Sequence, residues 1–217
     1  MKRTAVLAVF LAGGLLLLPP SVVAASATEA RRPIIVVSDI DDTIKDTHIR
    51  FFGTPLPNPG AALELVRDSP PVPGMACVYQ GWRRQAHAEF DYVTAAPTNW
   101  DARLKCWLAR GGFPSGVVKS KDPGARISMR DYKICRIDSI IRANPRARFI
   151  LVGDSGQWDR EAYGEVARHH RQVKKIFIRH VTCEAKDSAR YRRAFRDVLP
   201  QRWLVFSRAD EIARLRL

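Results

Sequence analysis

One short stretch restricts this chain more than any other. Residues 33–38 (PIIVVS) form an almost unbroken apolar run, followed at once by Asp39-Ile40-Asp41-Asp42-Thr43. An apolar run that does not alternate with polar residues belongs to a strand covered on both faces, as in a parallel sheet between layers of helices. The carboxylates that follow are too polar for the core. They gather at the edge where the strand ends, and that is the edge at which open α/β sheets bind ligands.

The rest of the chain fits such a sheet. Strand-like segments at 90–94, 116–119, 149–152 (FILV), 175–181 and 203–206 alternate with helix-like segments at 74–87, 99–110, 129–143, 159–170 and 185–198, and a short helix follows from 209. Repeated β-α-β order predicts an α/β fold: a three-layer, Rossmann-like parallel sheet with helices on both faces. No segment is long enough for a large cap domain. Residues 46–73, rich in Pro and Gly, read as a loop over the sheet edge.

The first residues stand apart. Lys2 and Arg3 precede an apolar stretch over 5–18, and Ala25-Ser26-Ala27 has the form of a signal peptidase site. The expectation is a signal peptide over 1–27, then one domain over 28–217 of a protein that is exported, periplasmic or secreted. The alternative is a retained membrane anchor. Without Lys2 and Arg3 the formal charge falls from +14 by two. The basic clusters at Arg83-Arg84, 168–175 and 190–196 suit an anionic partner, a membrane surface included, or else a solvated face. No recognisable nucleic-acid module is present. Cys77, Cys106, Cys135 and Cys183 form no C-x-x-C pair, which argues against zinc. They can make up to two disulfides or stay as four buried free thiols.

Chemistry-bearing residues recur just after the predicted strands. Asp39, Asp41 and Thr43 follow the first, Thr94 ends the second, and Asp154 and Asp159 follow FILV, while Lys133 lies on the helix before FILV. A carboxylate nucleophile is repelled by a phosphate monoester unless a cation intervenes. Mg²⁺, which takes oxygen ligands and keeps several waters, removes that repulsion. A lysine and a hydroxyl stabilise the phosphoryl oxygens, and a second carboxyl protonates the leaving oxygen and then activates water. Ser155 lacks a G-x-S-x-G elbow, which argues against a serine hydrolase. His169-His170, at a basic helix end, read as solvated or dipole-complementing rather than as metal ligands, and Trp82, Trp100 and Trp158 as packing residues.

With those residues in view, the chain resembles the haloacid dehalogenase-like phosphatases, whose D-x-D-x-T signature is matched by DIDDT. The resemblance is closest to the App1-type phosphatidate phosphatase catalytic domain, related to lipin. It is carried by SDIDDTIK, PVPGMACVYQGW, FDYVTAAPTNW, GGFPSG, YKICRIDSII, RFILVGDSGQWDREAY and KIFIRHVT, in that order, over about 33–182. It implies a Mg²⁺-dependent hydrolase of phosphatidate or another lipid-linked phosphate, working through an aspartyl-phosphate. Asp39 would be nucleophile and metal ligand. Asp41 would be general acid and base, with its backbone carbonyl on the metal. Thr43 would support the loop and, with Thr94 and Lys133, help bind the substrate, the last two on the phosphoryl group. Asp154 would bind Mg²⁺ directly, and Asp159 through water or from behind. A broad phosphatase for soluble monoesters is the runner-up. A non-catalytic anionic-lipid-binding module is disfavoured because Asp41 is intact. The chain departs from the pattern at Thr94-Ala95-Ala96-Pro97-Thr98, where S-x-S-P-W is usual. His180 replaces an Asp, and Lys119-Ser120 replaces Leu-Arg.

Overall fold

The computed structural model describes residues 32–47 and 69–214. The expected signal segment and most of the expected loop over 46–73 lie outside them.

Six strands form one parallel sheet: β1 (Ile34–Ser38), β2 (Glu89–Pro97), β3 (Val117–Lys121), β4 (Arg148–Asp154), β5 (Val173–Arg179) and β6 (Trp203–Phe206), in the order β3-β2-β1-β4-β5-β6. The connecting helices are α1 (Met75–Ala86), α2 (Asp101–Arg110), α3 (Met129–Ala143), α4 (Asp159–His169), α5 (Ala189–Ala194) and α6 (Asp210–Ala213). The chain runs outward from β1 through β2 to β3, then returns to the other side of β1 at β4. The order therefore reverses between β1 and β4, where the ends of neighbouring strands leave a crevice.

Alternation along the strands divides the core in two. Ile34 and Val36 of β1, with Ile150 and Val152 of β4, pack under α1, α2 and α6. Ile35 and Val37, with Phe149 and Leu151, pack under α3, α4 and α5. This double burial is why β1 and β4 read as continuous apolar runs. Among the described residues, no helix is long and apolar enough to cross a membrane.

Three expectations need correction. The helix expected over 185–198 is only Ala189–Ala194, ended where Asp197 takes a φ of 65° and Leu199-Pro200 follows. The second strand runs on to Pro97, three residues past its expected end, with an irregularity in its pairing to β3 between Val93 and Pro97. The four cysteines are neither bridged nor buried; each is a free, exposed thiol. Cys77, Cys106 and Cys135 fall on the outward faces of helices whose apolar residues face the sheet. His170, read as solvated or dipole-complementing, follows the C-terminus of α4 and shares a hydrogen bond with Asp138 of α3 at 2.7 Å.

Two helical glycines predict opposite outcomes. A Cβ on Gly164 would sit 1.9 Å from the carbonyl oxygen of Ala194, because α4 and α5 touch there, whereas one on Gly81 would meet nothing within 4 Å. Gly164→Ala should lower unfolding stability by about 1–3 kcal/mol in a denaturant titration. Gly81→Ala should raise it by about 0.4–1 kcal/mol. A thiol-reactive chromophore should titrate all four cysteines of the folded protein without denaturant.

Candidate active site

The site is built where β1 and β4 end side by side. Asp39 follows β1, and its N–H donates to the Val152 carbonyl of β4 at 2.9 Å. The chain then folds back sharply. The Ile40 carbonyl accepts from the N–H groups of both Ile44 and Lys45 at 3.0 Å, and Asp42 N–H donates to the Lys45 carbonyl at 2.8 Å. Asp42 sits at the tip with a φ of 54°, a left-handed conformation that Asp tolerates better than most residues. Its Oδ1 accepts from the N–H and hydroxyl of Thr47 at 3.1 and 3.0 Å. The fold-back brings the Thr43 hydroxyl to Asp39 Oδ2, to which it donates at 3.0 Å.

Lys133 arrives from α3, whose N-terminus is capped by Ser128 Oγ accepting the Asp131 N–H at 3.0 Å. The lysine is buried. Its Nζ donates to Asp39 Oδ1 at 2.9 Å and also to Asp159 Oδ1. Asp159 opens α4 and is fully buried; its Oδ2 accepts the Asp154 N–H at 3.0 Å. That contact depends on Gly153, where a Cβ would lie 2.5 Å from Asp159 Oδ2. Asp154 Oδ1 accepts from the N–H groups of Gly156 and Gln157 at 2.5 and 3.1 Å. Thr94, at the irregular end of β2, donates its hydroxyl to Asp41 Oδ2 at 3.3 Å and accepts the Ala96 N–H at 3.0 Å.

The structure thus places all seven residues singled out in the sequence at one edge of the sheet, and all seven are buried. They divide into two groups. Asp39, Asp154 and Asp159 offer carboxylate oxygens within 4.8 Å of one another, a set able to hold a metal ion. The Asp41 side chain is not among these oxygens; it turns towards Thr94. Sequence reasoning missed Lys45, which is buried and holds Asp41 down electrostatically against the effect of burial. It also missed Arg179 at the end of β5, which donates to the Asp42 carbonyl at 2.7 Å. Lys45 lay inside the SDIDDTIK string; Arg179 had no local signal. Trp82 is a core residue stacked on Tyr79 and Phe177, as a packing role requires.

Charge is unbalanced here. Burial is the main cause lifting Asp39 to about 8; Lys133 opposes it, and Asp159 and Asp41 add to it. Burial, with the charges of Asp159 and Asp39, holds Asp154 well above the usual carboxylate range. Asp41 is pushed up to about 6, chiefly by burial. Burial alone would depress Lys133, but Asp159, Asp39 and Asp154 together keep it above the usual lysine range. One lysine faces three carboxylates, and Asp154 Oδ2 has no hydrogen-bond partner among the described residues. An all-oxygen donor set with a buried, unpartnered carboxylate oxygen suits a hard divalent cation such as Mg²⁺.

Fold, crevice and this carboxylate–lysine–hydroxyl set together define a haloacid dehalogenase-like domain. Within that class, residues 34–180 match the family described as phosphatidate phosphatase APP1, catalytic domain, and the chain belongs to that family. It is 30% identical over 158 residues to phosphatidate phosphatase APP1 of Saccharomyces cerevisiae, a stretch covering 66% of this chain and 25% of the yeast protein. The chain therefore spans about a quarter of that relative's length. Two solved structures of the class C acid phosphatase from Bacillus anthracis are more distantly similar. One is 16% identical with a TM-score of 0.43, covering 64% of this chain and 58% of that one. The other, with tungstate bound, is 14% identical with a TM-score of 0.48, covering 85% and 70%.

The charge imbalance predicts opposite effects of two substitutions in metal-free protein. Lys133→Met leaves buried carboxylates uncompensated and should cost about 3–5 kcal/mol. Asp154→Asn keeps the acceptor for Gly156 and Gln157 but removes one repelling charge. It should therefore raise the melting temperature in EDTA, as differential scanning calorimetry would show.

Proposed function

We propose that this domain hydrolyses phosphate monoesters in a Mg²⁺-dependent reaction that uses Asp39 as nucleophile. The observation that carries the reading is the pairing of two unlike carboxyls two residues apart. Asp39 is held by Lys133 and Thr43, while Asp41 rests on Thr94 with its Oδ1 unpartnered among the described residues. Two carboxyls with separate surroundings suit separate roles, one attacking and one handling protons.

Asp39, Asp154 and Asp159 would hold the cation, with the Asp41 backbone carbonyl as the family resemblance implies. When bound, Mg²⁺ supplies positive charge that lets a carboxylate approach a phosphate and polarises the phosphoryl oxygens. Lys133 and Thr43 hold and aim the Asp39 carboxylate. Its oxygen forms a bond to phosphorus as the bond to the leaving ester oxygen breaks, and Asp41 gives that oxygen its proton. Asp41, now ionised, takes a proton from water. The water oxygen bonds to phosphorus, the aspartyl–phosphorus bond breaks, and inorganic phosphate leaves with Asp39 restored. Lys133 and Thr94 stabilise the transferring group by donating hydrogen bonds.

For substrate, the reading is phosphatidate or another lipid-linked phosphate. Membership of the phosphatidate phosphatase APP1 family supports it, as does the excess of 36 Lys and Arg over 22 Asp and Glu, which favours contact with anionic membrane. Export to a periplasm or beyond is proposed from the basic pair, apolar stretch and A-x-A site at the start of the sequence.

Phosphate release should be measured on phosphatidate vesicles, soluble sugar and nucleotide monophosphates and p-nitrophenyl phosphate. Activity should vanish in EDTA, return with Mg²⁺, and fall by about 10³-fold or more in Asp39→Asn. Preference for vesicles would support the lipid reading, and preference for soluble esters would replace it with a broad phosphatase. Release that persists in Asp39→Asn would overturn the nucleophile assignment.

A further inference from the structure

Beside the active site, on the face carrying α3, α4 and α5, lies a groove of about 530 Å³ lined by Arg130, Arg168, Arg190, Arg193, Trp158 and Glu161. We propose that this groove is a second anion site, taking a phosphate group that is not the one being hydrolysed. The inference goes beyond the catalytic reading and does not depend on it.

Charge and geometry carry it. Four guanidinium groups face the groove, and three carboxylates answer them, Asp131 pairing with Arg130 at 2.9 Å. Glu161 pairs with Arg190 at 2.6 Å, while Glu165 pairs with Arg168 at 2.5 Å and reaches Arg130 at 3.7 Å. Four cations against these three anions leave the groove positive, the sign that a phosphate group needs. Arg193, exposed on α5, has no ion-pair partner among the described residues. Planar guanidinium forks match phosphate oxygens in pairs, which a scattered set of lysines would not. The arginines come from three helices and are partly fixed in place. Arg168 donates to the carbonyls of Ala194 and Arg196, Arg190 donates to the Gln157 carbonyl at 3.2 Å, and the Arg190 guanidinium lies 5.8 Å from the centre of the Trp158 ring. The groove is of small-ligand size.

Position gives the site its interest. Trp158 directly precedes Asp159, and Arg130 lies three residues before Lys133 on α3. The Gln157 residue donates its N–H to Asp154 and lends its carbonyl to Arg190. A phosphate in the groove would therefore sit on the far side of the 155–158 loop from the reacting phosphate. That phosphate can come from a neighbouring lipid headgroup or from free phosphate or a soluble phosphoester, and the same guanidinium chemistry serves either source.

The test uses the whole domain in EDTA, where the carboxylate-rich catalytic site repels anions. Isothermal titration with inorganic phosphate at low salt should detect binding that weakens by about tenfold or more in Arg190→Gln/Arg193→Gln. Arg208→Gln, which removes one charge as Arg193→Gln does and lies just before α6 on the opposite face of the sheet, should stay within about twofold of the parent. If the double variant melts early, Arg193→Gln alone, which breaks no ion pair, should still weaken binding by about threefold or more. Co-sedimentation with phosphatidylcholine vesicles holding about one-fifth phosphatidylglycerol identifies the source. Parallel loss in the double variant assigns the groove to headgroups, and unchanged sedimentation assigns it to soluble phosphate. No phosphate binding by the parent, or equal loss in Arg208→Gln and the double variant, would overturn the proposal. Neither result bears on whether Asp39 is a nucleophile.

Discussion

The contact on which this structure turns is the buried ammonium of Lys133 between Asp39 and Asp159. Each side chain is one that water would otherwise hold strongly, and each is almost wholly removed from it. Their mutual attraction offsets a desolvation cost that none could bear alone. The three side chains also tie three elements together: the end of β1, the first turns of α3 and the start of α4. Because a third carboxylate, Asp154, shares the same pocket, the attraction falls short of balance. The deficit is what makes the site receptive to a cation and, through it, to a phosphate.

The sheet makes this concentration of charge affordable. Placing β1 beside β4 sets two strand ends next to each other where the connections diverge, so side chains from distant parts of the sequence meet without passing through the core. The two apolar layers stay continuous beneath them. Backbone groups at the edge are satisfied by the loops themselves: Ile40 and Lys45 carbonyls close the first loop, and the amides of Gly156 and Gln157 close around one oxygen of Asp154.

Much of this was legible in the sequence, for identifiable reasons. IIVVS and FILV are buried on both faces, as strands of a parallel sheet between two helix layers need to be, so the sheet and its functional edge followed from them. Lys133 stood out through the family resemblance, since a helix lysine carries no sign of burial by itself. The failures share a cause. Cys77, Cys106 and Cys135 lie among apolar residues in the chain, but which side of a helix a residue occupies depends on packing that the spacing only approximates. The 185–198 helix contained Asp197, whose left-handed turn no periodicity reveals. Arg179 reaches Asp42 across 137 residues of chain, and nothing near either of them in sequence announces the contact. The seven site residues converge at one sheet edge, as their places after successive strands and the resemblance implied.

Gly153 has a wider meaning than the room it makes. The space where its side chain would stand is filled by the carboxylate of Asp159, so that one group serves both as filling beneath the end of β4 and as the counter-charge of Lys133. Packing and electrostatics cannot be separated at that point. Any replacement of Asp159 that is smaller leaves a hole as well as a lone ammonium, and any that is larger presses on the strand. An Asp159 variant that loses activity will therefore have changed the shape of the site along with its charge. Interpreting such a variant requires a measure of how far the strand end has moved.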